Sequence, residues 1–342
     1  RAMLPIVVAS LSVASAGPWS LDQALEWQKT QTWGVGCNFI PSSAINQLEM
    51  WQADTFDPVT LDRELGWMKG VGMTRARIYL HDLAYEQDPS GFKQRMTTVL
   101  GLAEKHGIQV MFVFFDDCWN DSPKIGPQPK PRPGVHNSGW VQSPAKGQRQ
   151  WPADFARLKT YVQDVLRTFG KDRRVWIWDL YNEPSNSGYG EASEPLLRKV
   201  FEWAWEVRPS QPLTVGPWLG GGGLDKLSVE LSDVVTFHAY EGADHLRGRI
   251  ADLKKTGRPV ICTEWMARTN GSRIETHLPI FKAEGVPCLQ WGFVSGKTNT
   301  IFPWGSKEGS PEPELWFHDL LRPDGTPYRQ AEVDLYRAMT RG

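Results

Sequence analysis

The stretch VWIWDLYNEPSNSG, residues 175–188, runs from bulky apolar side chains straight into an amide, a carboxylate and a proline. Val175, Trp176, Ile177 and Trp178 read as a strand buried on both faces, as in a parallel sheet covered by helices. Asn182 and Glu183 stand at the end of that strand, and Pro184 stops the pairing. The carboxyl ends of buried parallel strands are where α/β enzymes place their chemistry. The rest of the chain must therefore be read for a strand–helix repeat that would supply such a sheet.

That repeat is present at a period of roughly forty residues. Strands are predicted over 33–40, 74–80, 108–115, from 175, and over 212–218, 233–240, 258–265 and 286–293. Helices are predicted over 58–72, 91–107, 153–170, 193–207, 242–256, 272–284 and 328–340, several of them stopping on glycine. Eight such units fit an α/β fold of the closed (β/α)8 TIM barrel type better than an open sheet. WGVGCN (33–38) is a poor match to the glycine-rich turn of a dinucleotide-binding sheet. No linker divides the chain, so the barrel is expected over 17–342 as one domain. Its long loops follow strands three (119–152, with six prolines from Pro123 to Pro144) and eight (297–313). Both would frame one cleft and close it at one end.

Composition narrows the function. A formal net charge of −1 gives no electrostatic case for nucleic acid or an anionic membrane. Seventeen tryptophans exceed what a core needs and suggest platforms for a stacking ligand. Residues 1–16, with a basic start, an apolar run and Ala14-Ser15-Ala16, have the layout of a secretory signal and predict a secreted or periplasmic protein with no membrane association after processing. Four scattered cysteines lack metal spacing; Cys37 and Cys288 are the pair to check for a disulfide if the first and last strands meet.

The seventh strand ends VICTEW, which places Glu264 where Glu183 stands on the fourth. Buried carboxylates at strand ends are costly unless paired or used. Across a barrel mouth, two of them are the minimum equipment for cleaving a glycosidic bond. The pair WDLYNEPSN and VICTEW resembles the signatures of clan A glycoside hydrolases, and the ordered strand-end residues most resemble glycoside hydrolase family 5, the cellulase and mannanase group. The resemblance covers the chain after residue 30. It implies a retaining β-glycoside hydrolase acting on glucan, mannan or xylan through two glutamates, Glu183 as acid/base and Glu264 as nucleophile, with no cofactor and no metal.

It also implies substrate-binding roles for Arg77 beside the nucleophile, Asn182 on the sugar 2-hydroxyl, His238 and Tyr240 on strand six, and Trp291 as an aromatic floor. The acid/base needs a raised pKa to start protonated. Where the family carries a histidine pair after strand three, this sequence reads VFFDDCWND; His81, Asp82, Asp117, Trp119 and Trp304 are the candidates to take over sugar contacts. Transglycosylation on the same carboxylates and a non-catalytic carbohydrate-binding barrel are the alternatives.

Overall fold

The computed structural model describes residues 17–149, 152–218 and 223–341. Residues 1–16, read above as a secretory signal, lie outside the described residues. Among the described residues eight strands run parallel: β1 (Val35–Asn38), β2 (Arg75–Tyr79), β3 (Gln109–Asp116), β4 (Val175–Asn182), β5 (Leu213–Gly216), β6 (Val235–Ala239), β7 (Val260–Trp265) and β8 (Cys288–Trp291). Their order, β5-β4-β3-β2-β1-β8-β7-β6, wraps the sheet almost into a ring, with β1 pairing β8. Each strand is followed by a helix that covers the outer face, as in a (β/α)8 barrel. The helix Pro58–Val71 shows how local sequence sets these boundaries. Asp57 caps the Thr60 amide, Pro58 opens the first turn, and Gly72 leaves the helix at φ 99°.

The remaining seam, between β5 and β6, is closed without a ladder. The Thr214 hydroxyl donates to the Val234 carbonyl and the Thr236 hydroxyl to the Val215 carbonyl, both at 2.8 Å. The Asp233 amide donates to the Leu213 carbonyl at 2.8 Å. The helix after β5, Gly223–Leu231, has no counterpart in the sequence reading, because the glycine run before it reads as a loop.

An amino-terminal helix, Leu21–Lys29, closes the opposite end of the barrel from the strand tips. Trp27 packs against Trp176, which belongs to the interior layer of Met111, Ile177, Val234, Ile261 and Leu289. The Trp176 indole donates to Gln31, and the Arg75 guanidinium covers its ring. All four cysteines are free thiols. Although β1 and β8 are neighbours, Cys288 stands opposite Val35 and Cys37 opposite Gln290, so no Cys37–Cys288 bridge forms. No helix among the described residues is long and apolar enough to cross a membrane.

Candidate active site

The strand tips open into a cleft of about 760 Å³ lined by Asn182, Glu183, His238, Tyr240, Glu264 and Trp291. Glu183 lies just past β4 with a left-handed backbone, φ 46°, and its amide donates to the Gly216 carbonyl at 2.6 Å. Non-glycine residues adopt that conformation when the surroundings enforce it. Here it turns the carboxyl out of the sheet toward β6 and β7, where His238 stands opposite Glu264 in register.

Glu264 accepts from three donors, with a fourth polar group close by. The Arg77 guanidinium reaches one oxygen at 2.8 Å and the Tyr79 hydroxyl the same oxygen at 2.9 Å. The Tyr240 hydroxyl donates to the other at 2.8 Å, and His238 Nδ1 lies 3.5 Å from it. Burial and the Glu264 charge keep the Tyr240 hydroxyl protonated far above neutral pH, so it remains a donor. Arg77 is itself fully buried and bridges Asp179 at 2.7 Å, the Asn38 side chain at 2.8 Å and the Asn182 side-chain Oδ1 at 2.7 Å. That network fixes Asn182, whose amide nitrogen donates to Asp116 at 3.0 Å.

Glu183 is held on both oxygens. His238 Nδ1 is 2.6 Å from one; the Cys118 thiol, at 3.1 Å, and the Asn186 amide, at 2.5 Å, donate to the other. Burial pushes the Glu183 carboxyl up, but the bond and charge of His238, with Cys118 and Asn186, outweigh it and hold it below the usual range. The expectation of a raised acid/base pKa is therefore corrected for the resting site. Burial pushes His238 down, yet the Glu264 charge and the bond to Glu183 win and raise it. Together the two side chains retain one proton over a wide pH range. Glu183, His238 and Glu264 offer ligand atoms all within 4.8 Å of one another, a spacing a cation would accept. The carboxylate oxygens and His238 Nδ1 are committed to hydrogen bonds, His238 Nε2 has no partner among the described residues, and the Arg77 charge beside Glu264 opposes a second positive group.

Gly216, at the tip of β5, is part of the site through its lack of a side chain. A Cβ there would lie 3.0 Å from Arg77 Nη2 and 3.1 Å from His238 Nε2. The candidates after β2, β3 and β8 divide. Trp119 and Trp304 line the cleft and are about two-fifths exposed. His81, Asp82 and Asp117 are buried away from it. His81 caps a short helix through the Leu83 amide and contacts the Gln142 carbonyl. Asp82 accepts from Ser143 and Arg157. Asp117 pins the chain beyond β4 by accepting from Tyr181, the Ser185 amide and Arg149. Each is spent on holding a loop. The cleft also contains residues the sequence reading did not single out: Cys118, Asn186, His136, Asn137 and His318. Tyr79 was readable as the i+2 neighbour of Arg77 on one strand face.

The family model described as Cellulase (glycosyl hydrolase family 5) matches residues 67–296. A probable mannan endo-1,4-beta-mannosidase F of Aspergillus flavus is 22% identical over 204 residues, covering 57% of this chain and 40% of that protein. Mannan endo-1,4-beta-mannosidase F of Aspergillus clavatus is 23% identical over 204 residues, covering 57% and 43%. The chain thus spans less than half the length of these curated relatives. Among solved structures, a GH5_18 protein from Streptomyces cattleya in complex with Manb1-4GlcNAc superposes with a TM-score of 0.65 at 14% identity, over 91% of this chain and 81% of that one. The endo-beta-1,4-mannanase from Thermotoga petrophila gives 0.60 at 14% identity, over 92% and 77%. At such identities these structures speak for the barrel fold alone.

Proposed function

Since the chain belongs to glycosyl hydrolase family 5, we propose that it hydrolyses β-linked glycosides of the mannan or glucan type, with retention, through Glu183 and Glu264. The approach of the two carboxylates carries the proposal. One oxygen of each lies within 4.8 Å of the other, which suits the close pair of a retaining enzyme, at about 5–5.5 Å, better than the roughly 6.5–9.5 Å that an inverting water needs. Mannan is put first because the curated relatives are named mannosidases.

The roles follow from the hydrogen bonds. Glu264, ringed by the donors Arg77, Tyr79 and Tyr240, is the carboxylate that attacks the anomeric carbon. As the glycosidic C–O bond breaks, the leaving oxygen takes the proton that Glu183 and His238 share. Glu183 then accepts a proton from water, whose oxygen displaces Glu264 from the sugar and frees the product. Asn182, fixed by Arg77 and Asp116, is placed to hold the 2-hydroxyl, a contact that strengthens toward the transition state.

The test is sugar release from β-linked oligosaccharides, polysaccharides and aryl glycosides by wild type, Glu183→Gln and Glu264→Gln. Both variants should lose about a thousandfold or more. Proton NMR should show the β anomer as the first product. Appearance of the α anomer first would remove retention, and undiminished variants would remove the two-glutamate reading.

A further inference from the structure

The half of the barrel mouth opposite β4 is walled by loops that are sewn to one another. The Asn137 amide donates to the Thr298 carbonyl at 2.8 Å and the Gly309 amide to the Pro133 carbonyl at 2.9 Å. The Asn299 amide reaches the Arg132 carbonyl at 2.9 Å, and His136 Nδ1 donates to the Phe302 carbonyl at 2.7 Å. A Cβ on Gly134 would lie 2.8 Å from the Ser310 amide nitrogen, so the two backbones touch. The loop after β1 joins the same wall, with Asn46 donating to the Gly139 carbonyl and Gln47 to the Val141 carbonyl, both at 2.8 Å.

Inside this wall a row of rings spans from β3 to β6. Trp119 lies 5.3 Å from His136, His136 6.5 Å from Trp304, and Trp304 5.0 Å from Tyr240, measured between centroids. Trp291, Trp140 and Tyr79 form a second, deeper group at 5.1–5.9 Å. In an eight-stranded ring β8 lies across from β4. Glu183 marks the leaving-group side, bordered by Asn186, Ser187 and Trp218. The wall therefore stands beyond the sugar that Glu264 would attack, on the side of its non-reducing end.

Two buried acceptors without donors stand in the wall behind its surface. His318 and Asn137 line the cleft, each about 1% exposed, and His318 Nε2 and Asn137 Oδ1 have no hydrogen-bond partner among the described residues. His318 Nδ1 is engaged with the Met266 carbonyl, so its proton is there and Nε2 is a lone pair. Burial and the neighbouring His136 keep His318 neutral well below its ordinary pKa. A terminal pyranose carries free hydroxyl donors at the end where an internal 4-linked unit has an ether oxygen. Where a wall stands against that end, the free hydroxyl is accommodated and a continuing chain clashes.

We propose that the cleft is blind beyond the attacked sugar and selects the non-reducing terminal residue of short β-linked oligosaccharides. This rests on the hydrolytic reading above and goes past it to the mode of attack. The experiment uses β-1,4-linked mannose and glucose oligosaccharides labelled at the reducing end, a matched series methylated at the terminal 4-hydroxyl, and the aryl β-glycosides. One sugar at a time should be lost from the label, with free monosaccharide as first product. Methylation should slow cleavage about a hundredfold or more. Trp304→Ala, a change at a half-exposed ring, should raise the ratio of methylated to free cleavage. Equal rates on both series, or first products of two or more sugars from the far end, would overturn the blind end and leave hydrolysis standing. Failure to cleave any member, aryl glycosides included, would overturn hydrolysis and the blind end together.

Discussion

His238 faces both carboxylates, and its bond to Glu183 couples their protons. Glu183 is lowered and His238 raised, so between their two pKa values the pair holds one proton. In His238→Gln that proton is retained only while Glu183 itself is protonated. The basic limb of the kcat/KM profile should move to lower pH. An unmoved limb would assign it to another group. Glu183 and Glu264 were legible because a charged residue after an apolar run stands out in any parallel strand. Asp179 and Cys118 were not. The register shift between Asp179 and Asn182 breaks strict alternation, so both reach Arg77 although their positions differ by three. Cys118 reads as an inert thiol until the turn after β3 brings it to Glu183.

At the scale of the elements, the segments between strands carry their own titrations. Asp319, behind the β8 loop, accepts the Thr300 hydroxyl on both oxygens, at 3.0 and 2.9 Å, and burial pushes its carboxyl up to about 7. A carboxyl raised on folding contributes stability at pH values below its unfolded pKa. That contribution is lost as pH rises through about 7. Asp319→Asn does not titrate there and suits the left-handed φ of 56° at that position. Its urea midpoint should therefore gain on wild type steadily from about pH 4 to pH 7. Parallel pH slopes for the two proteins would show that Asp319 does not ionise in that window. Strand and helix positions were readable to within a few residues because each unit shows a single period. The helix Gly223–Leu231, with buried Leu224, Leu227 and Ser228 and a glycine run before it, has too little pattern to read.

For the whole molecule, chemistry and support occupy opposite ends of the barrel. The helix Leu21–Lys29 packs Trp27 on Trp176, far from the strand tips. Trp27→Ala should cost about 1–2 kcal/mol of stability and lower Tm by a few degrees while kcat/KM stays at the wild-type value. A fall in kcat/KM alone would mean that this end communicates with the cleft. The barrel itself was legible from the count of strand–helix units, whereas its blind side depends on loop-to-loop contacts that carry no periodic signal.

The seam between β5 and β6 has a practical corollary. Cutting the chain after residue 218 interrupts no strand ladder, and it places Glu183 on one piece and Glu264 on the other. The protein is thus pre-divided into two complementary halves, each carrying half of the proposed catalytic pair. Co-expressed pieces ending at residue 218 and starting at residue 223 should restore hydrolysis only on reassembly, and activity in either piece alone would refute the division. Such a pair would turn the barrel into a reporter of whatever brings its halves together.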